Sequence, residues 1–279
     1  MGRIGTVAGW DGSAAADGAL AWAAEHESRA GGALHLLRVL GLEGGAEPVE
    51  RVAAAREALS AATTAVQDRH PGLEVVPELS VGDPIRELAR AAGGDRLLVL
   101  GASAVGRARR SGSRRIPIAL AARQEGTTAV VPIGLRPPGG VVAVVSAREH
   151  SRPTIDFAVA AAAERGEPLT ILRLHDPHDL ELDPPGALLA AEVDRIRDRA
   201  PSVDVRVARG WVSTPYGLLS RSDAASLLVL EGARPSAAPP RYSFERLLAG
   251  QARAPFVVVA RPSPPVATTV AAAKLALAV

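Results

Sequence analysis

Short apolar runs alternate with longer stretches whose apolar residues recur every three or four positions, and this alternation continues along nearly the whole chain. Residues 4–8 form the first short run, and residues 14–29 carry a helical stripe that Gly31-Gly32 stops. Residues 34–39 read as the second strand. A helix over residues 49–69 follows, broken by His70-Pro71-Gly72, and residues 75–79 read as the third strand. Asp83-Pro84 opens a helix to about Ala92, with Asp as cap and Pro at the first helical position. Residues 96–100 are the fourth strand. A loop rich in glycine and arginine, a helix near residues 118–123 and a strand over 129–133 complete the series. The order βαβαβαβαβ implies a parallel sheet with right-handed crossovers and helices on both faces.

The pattern then repeats. Residues 34–40 (LHLLRVL) match residues 169–175 (LTILRLH) at a shift of 135, which also pairs Leu20 with Ile155, Trp22 with Phe157, Ala23 with Ala158 and Gly31 with Gly166. Residues 97–100 match 227–230 at a shift of 130, and residues 129–132 match 256–259 at about 127. Slips of this size are what changes in loop length produce. The fold class is therefore α/β, with two tandem Rossmann-like domains, each a mostly parallel five-stranded sheet. Pro137-Pro138-Gly139-Gly140 is the expected linker, between a domain over residues 1–136 and another over 139–262. Residues 263–279 form an Ala-rich tail, either a short docked helix or a frayed end.

Composition narrows the picture. A length of 279 residues suits two domains of ordinary size, and 47% hydrophobic residues supply two cores. With three Trp, two Tyr and three Phe, those cores must be built from Ala, Val, Leu and Ile, as suits a parallel sheet under Ala-rich helices. The absence of cysteine excludes disulfides, thiolate metal sites and Cys nucleophiles. The start of the chain lacks a signal-peptide layout, and no apolar run nears the roughly 20 residues that span a bilayer, so a cytoplasmic protein is expected. A net charge of +2 implies no general field for polyanions, and no nucleic-acid-binding signature appears. The positive charge is almost all arginine, with Lys274 the one lysine.

In an open parallel sheet, ligands sit beyond the carboxyl ends of the strands where the topology switches, just after strands one and four of each copy. After strand one comes Gly9-Trp10-Asp11-Gly12-Ser13. Asp11 could accept hydrogen bonds from a nucleoside, or Asp11 and Ser13 could simply cap the following helix. After Leu100 comes Gly101-Ala102-Ser103-Ala104-Val105-Gly106, then five arginines (107, 109, 110, 114, 115) around Gly112-Ser113. Glycines let backbone N–H groups approach phosphate oxygens, a helix N-terminus favours anions, and arginine forks suit phosphate. The same segment also reads as a solvated basic loop. His175, Asp176, His178 and Asp179 cluster near a strand end, but no further ligand completes a metal site. Neither copy has a G-x-S-x-G elbow or a G-x4-G-K-[S/T] loop, so no catalytic set is visible and an enzyme is not expected.

A strand ending in Asp11-Gly12-Ser13, Gly82-Asp83-Pro84 ahead of the third helix, and glycines after residues 97–101 (LLVLG) together resemble the universal stress protein family, from Ile4 to Arg261. The resemblance implies a Rossmann-like five-stranded sheet, pairing of two copies through the last strand, and ATP binding in some members through a G-x2-G-x9-G-[S/T] loop. It implies that the aspartate contacts the adenosine and that a backbone group of the second strand, here Val39, holds the adenine. The nucleotide-binding residues it implies are Gly9, Asp11, Val39, Leu100, Gly101, Ser103, Ala104, Gly112, Ser113 and Arg114. This chain departs from the pattern at Ala104, which replaces the second loop glycine, and in the seven rather than nine residues before Gly112-Ser113. In the second copy the repeat turns Asp11 into Ser146, Gly12 into Ala147 and Gly101 into Glu231, whose charge would repel phosphate.

The expected function is thus a stress-response module that binds ATP or another adenine nucleotide in its first domain only, with Mg entering only alongside the nucleotide and no other metal. The expected partner is internal: the second copy takes the place of a dimer mate, and a further homodimer is left open, with no membrane and no specific nucleic acid involved. The alternatives are a scaffold that binds a partner protein and no nucleotide, and an enzyme of the wider nucleotide-binding α/β superfamily.

Overall fold

The computed structural model describes residues 5–41, 48–93, 96–102, 117, 120, 126–134, 139–146, 152–175, 187–211, 225–232 and 252–260. In the first half, β1 (Thr6–Gly9), α1 (Ala14–Ala30), β2 (Ala33–Leu40), α2 (Pro48–Arg69), β3 (Glu74–Val81), α3 (Pro84–Ala91), β4 (Leu97–Ala102) and β5 (Thr127–Pro132) follow the expected alternation. The second half contributes β6 (Gly140–Ser146), α4 (Arg152–Arg165), β7 (Leu169–His175), α5 (Ala187–Arg199), β8 (Val205–Trp211), β9 (Ala225–Glu231) and β10 (Phe256–Val259). Most of the expected helix near residues 118–123, residues 137 and 138 of the linker, and the tail lie outside the described residues. Two boundaries move. β4 runs on through Gly101 and Ala102, so Gly101 is a strand residue and not part of a loop. The second half opens at Gly140, which pairs with Ala225.

Local signals act as the sequence implies. Ser13 caps α1 by accepting the Ala16 N–H at 3.3 Å, and Gly31 ends it in the left-handed conformation at φ 73°. Asp83 caps α3 by accepting the Arg86 N–H at 2.9 Å, with Pro84 next in line. The buried face of α1 is Ala15, Ala16, Ala19, Leu20, Trp22, Ala23 and Ala24, and its small residues let the helix lie close to the sheet. One buried carboxylate, Glu27, is anchored by the buried Thr6 hydroxyl of β1, which donates to its Oε2 at 2.5 Å. A side chain at position 32 would collide with Glu27, since a Cβ there would stand 1.9 Å from its Oε1.

All ten strands form one sheet in the order β3-β2-β1-β4-β5-β10-β9-β6-β7-β8. Every pairing is parallel except one, β5 with β10. The registers confirm the repeat. Thr6 pairs with Leu34 as Val141 pairs with Leu169, a shift of 135. Thr6 pairs with Leu97 as Val141 pairs with Leu227, which places β9 at a shift of 130. For the last strands the equivalence is 128, one residue more than expected: Leu98 pairs with Thr128 as Leu228 pairs with Phe256. That single residue decides which face each side chain occupies. It also makes the β5–β10 junction self-consistent, because the pairs Thr128–Val258 and Val130–Phe256 exchange under the repeat while Ala129–Val257 maps onto itself. A pseudo-two-fold axis therefore passes through the Ala129–Val257 pair, the signature of an isologous contact.

On one face, Ala129, Val131, Val257 and Val259 join the α1 and α2 core of the first half to the α4 and α5 core of the second in a single buried cluster. On the other, Leu88 and Ala89 of α3 cover Val7, Leu37, Leu98 and Leu100, while Val130, Phe256 and Val258 pack around the axis.

Beside the axis α1 meets α4. The Trp22 and His26 rings stack at 5.5 Å, the Arg165 guanidinium lies over Trp22, and His26 Nδ1 stands 3.5 Å from Glu164 Oε2. Glu164 alone would favour a charged imidazole. Burial, reinforced by Arg165 and Arg29, outweighs it and lowers the His26 pKa from 6.5 to about 4, while burial raises the Glu164 carboxyl. The fold thus prefers neutral His26. Its contribution is fully present above pH 6.5 and is lost as pH falls toward 4, by up to about 3 kcal/mol, with Glu164 working in the opposite sense. Urea denaturation between pH 7 and 4.5 should show a shallower loss of stability in His26→Gln than in the wild type. Equal slopes would mean that His26 is not the linked group.

Candidate functional site

The order around β1 fixes where a ligand could sit. From β1 the chain moves outward through α1 to β2 and β3, then crosses back through α3 to β4 on the other side of β1. The topological switch lies between β1 and β4, and the crevice is at their carboxyl ends. In the second half the switch lies between β6 and β9.

Gly9 closes β1, and Asp11, Gly12 and Ser13 turn the chain into α1. Asp11 is exposed and its Oδ1 accepts the Ser13 N–H at 2.9 Å, an Asx turn that places the carboxylate at the mouth of the crevice. Gly12 sits at φ 83°, a conformation that favours glycine. Of the two capping candidates Ser13 is thus the cap of α1, and Asp11 holds the turn just before it.

The backbone orientation of Val39 follows from its place on β2. In a strand, the N–H and C=O of one residue share a side, and the side alternates from residue to residue. Leu37 accepts the Trp10 N–H at 2.8 Å on the β1 side, whereas Leu40 accepts the Gly82 N–H at 2.9 Å on the β3 side. Val39 consequently turns its main-chain groups toward β1 at a level where that strand has ended. Gly9 pairs with Leu37, so Asp11 and Val39 each stand two residues beyond the last pair of β1 with β2.

Leu100 and Gly101 lie near the carboxyl end of β4, on the opposite wall. A Cβ at position 101 would lie 2.1 Å from the Ala15 carbonyl oxygen and 2.8 Å from the Ala16 nitrogen, so the absent side chain is what lets the first turn of α1 rest on β4. A Cβ at Gly9 would meet Leu100 at 2.5 Å. Both glycines thus have a packing reason, and for Gly101 it stands where sequence reasoning expected a phosphate contact. Ser103, Ala104, Gly112, Ser113 and Arg114, with the rest of the basic loop, lie outside the described residues.

Three residues missed at the sequence level brace the site. The Trp10 indole N–H donates to Asp17 Oδ1 at 2.7 Å, and the Arg38 guanidinium lies 5.2 Å from the Trp10 ring centroid. An isolated Trp directly after a strand, in so aromatic-poor a chain, was the available signal. In the second half the registers place Ser146 at the Asp11 position and Glu231 at the Gly101 position.

A cavity of about 1150 Å³ lies at the opposite, amino end of the first-half strands, between Gly31, Gly32, His35, His70, Glu74 and Arg96. Its histidines are engaged, His35 with Glu78 at 2.6 Å and His70 with Ser28 at 3.1 Å. Among the described residues, no cluster of His, Asp or Glu could hold a metal ion, and no helix is long and apolar enough to cross a membrane.

No protein-family model and no curated protein matches the sequence. Solved structures do match. A universal stress protein from Archaeoglobus fulgidus DSM 4304 superposes with a TM-score of 0.72 at 13% identity, covering 94% of this chain and 100% of that one. A functionally unknown protein from Pseudomonas aeruginosa PAO1 gives a TM-score of 0.57 at 12% identity, over 92% of each chain. A proposed universal stress protein from Pseudomonas aeruginosa UCBPP-PA14 gives 0.59 at 12%, over 92% of this chain and 93% of the other. The resemblance read from Asp11-Gly12-Ser13 and Gly82-Asp83-Pro84 thus extends to the whole architecture, and the fold of this chain is that of a universal stress protein.

Proposed function

We propose that this chain is a stress-response module of the universal stress protein type, acting in the cytoplasm without catalysing a reaction, whose first half binds an adenine nucleotide. Residues 1–136 form the binding unit and residues 139–262 its built-in partner. The observation that supports the reading is the exposed Asp11 turn just past the carboxyl end of β1, beside the switch point between β1 and β4, with the Val39 main chain on β2 turned to the side where β1 has ended. Asp11 orients the ribose or adenine, and Val39 reads the adenine edge through its backbone. Phosphates of ATP would extend past Gly9, Leu100 and Gly101 toward Ser103, Ala104, Gly112, Ser113 and Arg114, with Mg accompanying them. The second half, with Ser146 and Glu231 at the matching places, binds none.

The packing roles of Gly9 and Gly101 favour a second reading, a ligand-free scaffold whose crevice only supports helix packing. Mass spectrometry of gently purified protein separates the two, since co-purified adenine nucleotide at one equivalent per chain supports the first and none supports the second. In the full-length chain, Asp11→Ala should weaken ATP and adenosine alike, about tenfold for one charge-assisted hydrogen bond. Replacing Arg114 and Arg115 together should weaken ATP far more than adenosine and reduce the salt dependence of ATP binding. Equal losses for both ligands in that variant would remove the loop from phosphate recognition.

Gly101→Ala should cost about 1–3 kcal/mol of stability under either reading, because the new methyl group meets the Ala15 backbone. Unaltered denaturation would show that α1 can shift freely at its first turn.

A further inference from the structure

We infer that Trp10 is a positioning residue, clamping the Asp11-Gly12-Ser13 turn together with Asp17 and so holding the Asp11 carboxylate at the head of the crevice. This rests on the nucleotide reading for its purpose, though not for its geometry. Gly12, at φ 83°, is the loosest point of the turn, because glycine has the most backbone states to lose. Trp10 stands immediately before the turn and Asp17 four residues after the cap, and the indole N–H to Asp17 Oδ1 bond of 2.7 Å ties one to the other. Trp10 is itself fixed twice, by its main-chain N–H on Leu37 and by the Arg38 guanidinium over its ring. The ring also covers Gly12, its nearest atoms 3.9 Å from where a Cβ would stand. The turn therefore cannot open without breaking a contact of the indole.

The internal repeat supplies independent support. At a shift of 135 the second half has Val145 for Trp10, Ser146 for Asp11 and Arg152 for Asp17, while Arg173 keeps the place of Arg38. The clamp and the carboxylate it serves are lost together. A clamp needed only for folding would be required in both halves.

Asp17→Asn and Asp17→Ala in the full-length chain test the proposal. Both remove the charge that the N-terminus of α1 favours, so their difference isolates the acceptor for the indole. Alanine is also the better helix former, so a purely structural role ranks the alanine variant as at least equal in every readout. The clamp ranks them the other way. Hydrogen exchange at the amides of residues 12–16, measured without ligand, should stay near the wild type with asparagine and quicken by about fivefold with alanine, the loss of one hydrogen bond. Adenosine affinity by calorimetry should fall by a similar factor in the alanine variant and be restored by asparagine. Exchange that is equal in the two variants overturns the clamp. Quickened exchange with equal adenosine affinity overturns its positioning role. If the wild type binds no adenosine, the nucleotide reading fails and the positioning role falls with it, while the exchange measurement still decides the clamp.

Discussion

The rest of the molecule depends on one antiparallel strand pair, β5 with β10. Each half alone would end in an apolar edge strand, residues 127–132 or 256–259, presenting unpaired N–H and C=O groups and inviting association. Pairing the two edges removes both, and the Ala129–Val257 pair becomes the pivot of a pseudo-dimer within one chain. Because Ala129 and Val257 face the same buried cluster, the axis runs perpendicular to the sheet, and α1 and α4 must meet on one side of it. The strands of the two halves run in opposite directions. Their carboxyl ends therefore lie at opposite ends of the sheet, and the two switch points face away from each other. The cavity at the amino end of the first half accordingly opens on the end that carries the second half's switch point.

Joining the copies in one chain releases each from the constraint of matching itself. Positions 29 and 164 are equivalent under the repeat, yet one is arginine and the other glutamate, and the Arg29 charge acts on Glu164 across the axis. A symmetric dimer would place like charges at both. His26 against Ala161 and Trp22 against Phe157 show the same division of labour. The cost is a buried imidazole whose charging is opposed and a Trp22 indole N–H without a partner among the described residues. Freed from symmetry in this way, the second half could exchange Gly101 for Glu231 without touching the first.

Much of this was legible in the sequence, for identifiable reasons. The βα alternation shows in hydrophobic period, and helix ends show in Ser13, Gly31 and Asp83-Pro84, because caps are chemical requirements of particular side chains. The repeat survives because equivalent strands face equivalent cores. Features set by tertiary proximity were not legible. Gly101 looked like a loop glycine because nothing in the letters says that the Ala15 carbonyl lies against it. The last strands were aligned one residue out because residues 129–132 and 256–259 are uniformly apolar, and only pairing fixes their register. Trp10 went unread because its partners, Asp17 and Arg38, lie on a helix and a neighbouring strand.

The chain keeps a universal stress protein architecture at 13% identity while matching no family model, and the crevice offers a physical reason. Its head is built largely from main chain: the Val39 backbone, the turn that displays Asp11, and strand ends stripped of side chains at Gly9 and Gly101. Backbone groups are present whatever the residue, so the geometry persists under substitutions that erase a motif. What must persist is whatever keeps the backbone in place: a glycine where two elements touch, a cap where a helix starts, a brace across a turn. Those requirements are scattered in sequence and close in space. A motif measured by spacing, such as the glycine loop that Ala104 interrupts, can therefore change while the packing at Gly9 and Gly101 holds the strand ends and the first turn of α1 in place.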